Sequence, residues 1–332
     1  MNQTKLSLLV PAIPGRPDRL RAILTRISLS MYLYNEKFPN EKLDKDSLEF
    51  VIVDGGSNDY TKEMCAAFGQ HHRMKYIYVP IKEFVNAAYP RNIGLRVCQG
   101  EVIGHLDIDH YPSEFIVEGM LRPFLEGKDK IINRGYVVDT TKSPLGKGPQ
   151  VQWLKSVNDY VLNQSNLKST IESFYKESKV PPPGKNNTLW IWAAKRKYVE
   201  QLNGYDEQYC RMYIREDDDW RERLLALGCP FYDGHHKKFC AIHLWHTAEW
   251  RTKSNDYNKN LFFKLCAPVR SVSRNHDRQW GKMLEGSFSI MDEKYREPVG
   301  HEEWVQKNMC YTGWTDQPTW KNVAEFKGSL DK

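Results

Sequence analysis

Long hydrophobic runs are missing from this 332-residue chain. No stretch approaches the roughly 18 apolar residues that mark a membrane-spanning helix. The N-terminal MNQTKLSLLVPAIPGRP carries an apolar run of about five residues, the length of a strand, where a signal peptide has a longer apolar core. Cysteine is sparse and unpatterned. Seven residues, an odd number with no CxxC pair, fit a reducing compartment rather than a disulfide framework. A strong excess of either charge is also lacking. The net charge of +6 suits anionic ligands or an anionic membrane surface, and falls short of the basic excess of nucleic-acid-binding domains. Asn2, Asn163 and Asn186 stand in glycosylation sequons, which without a secretory signal are read as chance. No internal repeat is evident. These absences point to a cytoplasmic, soluble chain, with peripheral membrane contact left open.

What is present is a folded α/β pattern. An apolar content of 40% with 12% aromatic residues supports a buried core, and the length allows one large domain or two modest ones. Residues 6–10 are a short apolar run ended by Pro11, as in a buried parallel strand. Pro14-Gly15-Arg16-Pro17-Asp18 turns the chain, with Asp18 placed to cap a helix over 19–34. After a charged loop over 35–46, residues 50–53 read as a strand, 61–68 as a helix and 76–79 as a third strand. A helix over 86–97 leads through Gly100 into a central strand, 102–106. This alternation predicts a parallel sheet with right-handed crossovers. Beyond it, 129–149 reads as irregular, 151–179 as helical and Pro181-Pro182-Pro183-Gly184 as a break. Residues 189–194 read as a strand, 195–202 as a helix, 217–227 as a helix closed by Gly228, and 238–245 as a final strand. Residues 251–332 read as a mostly helical extension.

The acidic and polar motifs fall just after strands, on the edge where open α/β sheets bind ligands. Chance alone supplies roughly one Asp-x-Asp pair in a chain of this size, so context must choose among three. Asp44/Asp46 lies in a Lys- and Glu-rich stretch and reads as solvated loop. Asp107/Asp109 follows the central strand, and strand alternation would send both to one side. Two carboxylates there can hold a hard divalent cation and a phosphate-bearing ligand. Asp54-Gly55-Gly56-Ser57-Asn58-Asp59 is either a place of close backbone approach or a turn capped by Asp59. The third pair, Asp217/Asp219, opens a helix together with Glu216. The macrodipole and free N–H groups at that helix start would keep a carboxylate ionised.

Four blocks in order carry a resemblance: LSLLVPAIPGRP, FVIVDGGSNDYT, YPRNIGLRVCQGEVIGHLDIDHYP and LNGYDEQYCRMYIREDDDWRERLLALG. They span about residues 6 to 246 and resemble the GT-A-fold glycosyltransferases of the family 2-like group. The last block also resembles the matching segment of β-1,4-galactosyltransferases and polypeptide N-acetylgalactosaminyltransferases. The resemblance implies an α/β, Rossmann-like, mostly parallel sheet flanked by helices. The catalytic domain would cover residues 1–250, with a nucleotide-binding half (1–110) and an acceptor-binding half (111–250), followed by the extension 251–332. It implies Mn²⁺ or Mg²⁺, a nucleotide-sugar donor with UDP as the default nucleotide, and a glycan or glycolipid acceptor. Pro11, Ala12 and Arg16 would line the nucleotide pocket, and Asp54 would bind base or ribose. Arg91 and Asn92 would position sugar and phosphate. Asp107 would contact the ribose or a metal-bound water, and Asp109 would ligate the ion, with His243 (His246 second) supplying a histidine ligand. In the family's Glu-Asp signature the second residue is the usual base of inverting members. Asp217 would then take the acceptor's proton, and Glu216 would bind sugar hydroxyls.

One block departs from the pattern. Galactosyltransferases have small, Gly-rich and aromatic residues before Glu-Asp, whereas this chain has Arg211-Met212-Tyr213-Ile214-Arg215. Arginines there would favour an anionic acceptor, such as a lipid diphosphate or an acidic glycan. Trp304, Trp314 and Trp320 read as packing for the extension, or as a membrane-interface or sugar-stacking surface. Other readings stay open. A retaining transferase would need no base at Asp217. A two-metal phosphohydrolase would use HLDIDH with His235, His236, His243 and His246. A nucleotidyltransferase would rest on the thin match Gly15-Arg16, and a silent carbohydrate-binding protein has both acidic pairs against it.

Overall fold

Apolar residues alternate along the first strands, and that alternation sets the architecture. The structure is a computed structural model that describes residues 4–12, 17–57, 60–79, 87–139, 189–206, 209, 215–233, 238–243 and 288–290. Strands β1 (Leu6–Ala12) and β2 (Leu48–Asp54) are buried along their whole length. Leu6, Leu8 and Val10 of β1 and Leu48, Phe50 and Ile52 of β2 enter one core, while Leu9, Val51 and Val53 enter another. Both faces are therefore apolar, as a sheet sandwiched between helix layers requires. Helices α1 (Pro17–Lys37), α2 (Thr61–Gly69) and α4 (Ile116–Leu125) pack into the first core. Helices α3 (Ala88–Val97), α5 (Arg196–Gln201) and α6 (Glu216–Ala226) pack into the second.

The main sheet adds β3 (Arg73–Tyr78), β4 (Val102–His105), β6 (Ile132–Arg134), β8 (Trp192–Lys195), β9 (Phe231–Tyr232) and β11 (Phe288–Ile290). Its eight strands lie in the order β11-β3-β2-β1-β4-β8-β6-β9. β3, β2, β1 and β4 run parallel, β8 runs antiparallel between β4 and β6, and β11 runs antiparallel on β3. A second sheet holds β5 (His110–Pro112), β10 (Cys240–His243) and β7 (Tyr136–Asp139), in the order β5-β10-β7.

The two ends of the parallel strands differ chemically. At the amino end the fully buried Glu49 pairs with Lys75 at 2.5 Å, and accepts hydrogen bonds from the Ser7 hydroxyl and the Gln99 amide. Gly100 N–H donates to Ser7 Oγ at 2.7 Å, so that edge is closed by its own polar groups. The carboxyl end collects Asp54, Asp107 and the starts of α3 and α6. Gly94 lets α3 lie close on the sheet, since a Cβ there would meet Leu9 Cδ1 at 2.2 Å. That close approach carries Arg91 to the carboxyl edge.

Several expectations are corrected. Helix α1 is already formed at Pro17, a favoured first-turn residue, so Asp18 lies inside it rather than at its cap. β3 begins at Arg73, three residues before its apolar pattern becomes visible. β5, β6, β7 and β9 were not expected: at two to four residues each, they are too short to show a period. The expected helix over 151–179 lies outside the described residues, as does the extension apart from β11, which is an edge strand and not helix. Among the described residues, no helix is long and apolar enough to cross a membrane.

Helix α6 is locked in place by a buried ion pair. Arg223 donates to Asp219 at 2.6 Å and to the carbonyls of Leu202 and Gly204 at 3.0 and 2.9 Å, with both side chains at most 1% exposed. Arg223→Met would take the guanidinium away from the buried Asp219 carboxylate and two carbonyls, so a loss of about 3–5 kcal/mol is expected in urea unfolding. A loss below about 1 kcal/mol, the scale of an exposed pair, would show that this lock is unimportant.

Candidate active site

Arg91 stands at the centre of the carboxyl edge. The first turns of α3 aim its guanidinium between Asp107, at 3.0 Å, and Glu216, also at 3.0 Å. Those carboxylates come from the segment after β4 and from the start of α6, and Arg91 joins the two. Its guanidinium carbon lies 5.3 Å from the centre of the Tyr205 ring, which stacks on Trp220 at 4.3 Å. Trp192 Nε1–H donates to the Tyr205 hydroxyl at 3.2 Å, and Trp192 stacks on His105. Beneath the charged groups there is thus an aromatic floor, worth about 0.5–1.5 kcal/mol per stacked pair beyond its buried area.

Asp107 and Asp109 are not related by strand alternation, as had been expected. The chain turns at Ile108–Asp109 before β5 begins, so Asp107 faces Arg91 while Asp109 faces His243, with Oδ2 3.3 Å from Nε2. Burial raises the Asp107 pKa, but the Arg91 guanidinium beside it brings it below the usual carboxylate value. His105 sits under Asp107 with Nε2 3.4 Å from Oδ1, and burial pushes its pKa down to about 3, so it is neutral there.

The antiparallel pairing of β10 on β5 sets His243 opposite His110. Asp109, His110 and His243 then offer ligand atoms within 4.8 Å of one another, all three residues buried. One carboxylate and two imidazoles form a mixed oxygen and nitrogen donor set of the kind that holds a divalent ion. His110 was not among the expected ligands. The strand that carries it, His110–Pro112, is too short to show a pattern in the sequence. His246 and Arg16 lie outside the described residues.

Glu216 and Asp217 open α6, and Arg215 just before them adopts a left-handed backbone with φ of 80°. Such a φ is uncommon for a residue with a Cβ, and Arg215 is tied to Asp218 at 2.6 Å. Asp217 differs from the expectation of a carboxylate held ionised by the helix start. Burial, together with the neighbouring Glu216 and Asp218 charges, pushes its pKa up to about 7. Desolvation and like charge outweigh the dipole here.

Two other expected ligand contacts are turned inward. Asp54 is fully buried, accepting hydrogen bonds from Ser57 N–H at 2.9 Å and from the Tyr76 hydroxyl. It shapes the loop in which Gly56 takes a φ of 95°. Asn92 is also fully buried, and its amide exchanges two hydrogen bonds with the backbone of Tyr205, at 2.9 and 2.6 Å. It holds the Asn203–Gly204–Tyr205 turn against α3. Pro11 and Ala12 are buried at the end of β1, beside Val53 and Asp54.

The sequence pattern of glycosyl transferase family 2 matches residues 33–202, just over half of the chain. An uncharacterized glycosyltransferase of Rickettsia conorii is 23% identical over 229 residues, which cover 64% of this chain and 33% of that protein. Glycosyltransferase GlyG of Streptococcus pneumoniae is 32% identical over 95 residues, 28% of this chain and 31% of that protein. The chain thus spans about a third of the length of the curated relatives it matches. Among solved structures, glucosyl-3-phosphoglycerate synthase from Mycobacterium tuberculosis, in complex with Mg²⁺ and uridine diphosphate, superposes with a TM-score of 0.42 at 13% identity over 80% of each chain.

The arrangement around Asp217 makes a directional prediction. Glu216→Gln removes one adjacent charge and should lower the Asp217 pKa towards the ordinary carboxylate value, whereas Arg91→Met should raise it further. Carboxylate ¹³C NMR titration of the two variants would read this, and shifts of the same sign in both would contradict it.

Proposed function

This chain belongs to glycosyl transferase family 2, and on that premise we propose that it moves a sugar from a nucleotide sugar to an acceptor hydroxyl. The observation that carries the reading is the Arg91 bridge. It brings Asp107, beside the candidate metal ligands, within one guanidinium of Glu216 and its neighbour Asp217. That arrangement supports reading Asp109 and His243 as an ion site and Asp217 as the base, on either side of Arg91.

Asp109 and His243 would hold Mn²⁺ or Mg²⁺, with His110 next to them. When bound, the ion supplies Lewis-acid stabilisation of the departing nucleoside diphosphate. Asp107 would orient the donor's ribose or a metal-bound water, and the loop that Asp54 shapes would receive the nucleoside, UDP being the default. On the other flank, Asp217 would accept the acceptor's hydroxyl proton as that oxygen bonds to the anomeric carbon and the carbon–phosphate-oxygen bond breaks. Attack from the face opposite the diphosphate inverts the anomeric centre. A pKa near 7 suits a base that must ionise under neutral conditions and still take a proton. The acceptor on that side would be a hydroxyl of a glycan or glycolipid.

Two measurements separate the parts of this reading. By calorimetry, Asp109→Ala should lose Mn²⁺-dependent UDP binding, whereas Asp217→Asn should keep it. In turnover, Asp217→Asn should fall by about 10²–10⁴-fold. Turnover of the native chain should rise with pH through about 7 as Asp217 loses its proton. Full turnover by Asp217→Asn would instead favour a retaining transferase, and absence of nucleotide binding with any metal would overturn the donor site.

A further inference from the structure

We propose that Trp190 stacks on the sugar ring of the donor, an inference that rests on the donor reading above. Trp190 stands two residues before β8. That strand runs antiparallel to β4 and begins opposite its last residue, His105, so Trp190 lies on the carboxyl edge of the sheet. Its segment is otherwise closed. Leu189, Ile191, Trp192, Ala193 and Ala194 are all at most 3% exposed, whereas Trp190 keeps part of its surface in solvent. The Gly135 N–H donates to the Ile191 carbonyl at 3.1 Å, which fixes the backbone beside the indole. The indole itself lies against the candidate ion site. Its ring centre is 6.2 Å from that of His110, near-parallel at 18°, and 5.7 Å from that of His243, tilted by 47°.

A partly exposed indole beside charged groups is an apolar surface that an ion or a diphosphate cannot use. The C–H face of a pyranose can pack on it, as aromatic side chains line ligand sites in general. Strand order determines which part of the donor reaches it. The Asp54 loop proposed for the nucleoside follows β2, Asp109 follows β4 and Trp190 precedes β8, in a sheet ordered β2-β1-β4-β8. Trp190 therefore lies one strand beyond the ion and three beyond the nucleoside loop, roughly 14 Å across the sheet at about 4.8 Å per strand. The donor has the same order along its length: nucleoside, diphosphate, sugar. With the nucleoside at β2 and the diphosphate at the ion, the sugar is the part carried towards β8. A rigid backbone at Ile191 then presents the indole without an ordering cost.

The test is calorimetry on the full chain with Mg²⁺. UDP is the sugar-free probe, and UDP-glucose, UDP-galactose and UDP-N-acetylglucosamine are the donors. Trp190→Leu should weaken at least one donor by about three- to tenfold and leave UDP unchanged. Trp190→Phe keeps a flat ring and should recover most of that loss. A second measurement uses the native chain labelled with 5-fluorotryptophan. The ¹⁹F resonance that is absent from Trp190→Phe should move further with such a donor than with UDP. Equal weakening of UDP and every donor, or no weakening at all, would overturn the proposal, as would a Trp190 resonance that moves alike with and without the sugar. A native chain that binds no UDP with any divalent ion would remove the donor reading and this inference with it. Native UDP binding, with losses in Trp190→Leu shared equally by UDP, would remove this inference alone.

Discussion

A guanidinium buried to 5% exposure cannot stand without partners, and the site is arranged by how Arg91 finds them. It takes Asp107 from the segment after β4 and Glu216 from α6, positions 16 and 125 residues away in sequence. Removing one partner of such a pair costs about 3–5 kcal/mol. The segment after β4 and the start of α6 are thereby joined by a single charge. The aromatic floor of Tyr205, Trp220 and Trp192 supplies what the carboxylates do not: an apolar face that fixes the plane of the guanidinium. Asn92, one residue on, holds the backbone of Tyr205 from the same helix. One turn of α3 therefore sets both the charge and the ring beneath it.

The main sheet was legible because its strands are buried on both faces, which leaves uninterrupted apolar runs with breaks at their ends. The placing of Asp107 on the ligand edge followed from those breaks, whereas Glu216 and Asp217 were reached through a helix start and the resemblance. The second sheet was not legible. His110-Tyr111-Pro112 is three residues long and contains a proline, and its partner β10 comes some 130 residues later. Strand identity there is created by pairing and not by local pattern. The ion site depends on that pairing, so Asp109 and His243 could be reached by resemblance while His110 could not.

Burial explains the remaining differences. Asp54 and Asn92 carry residue types that suit ligand contact, and each lies next to a position on the ligand edge. Sequence gives their place along the chain but not the direction of the side chain. Tyr76 and Tyr205, on other elements, turn them inward. The protonation of Asp217 is of the same kind. From sequence, a helix start argues for a low pKa, and only the packed structure shows that desolvation and two flanking carboxylates outweigh the dipole.

The same charges bear on the proposed role for a cation. Asp107 and Glu216 already occupy Arg91, and Asp109, Asp217 and Asp218 bring further carboxylates to the same edge, with Arg215 committed to Asp218. A net charge of +6 spread over 332 residues does little against carboxylates this close, since exposed charges beyond about 10 Å are screened at ordinary salt. A nucleoside diphosphate would therefore meet a local field of its own sign. An ion on Asp109 and His243 would offset that field beside it. A cation at Asp109 would then answer the same crowding of carboxylates that, after burial, helps to raise the Asp217 pKa.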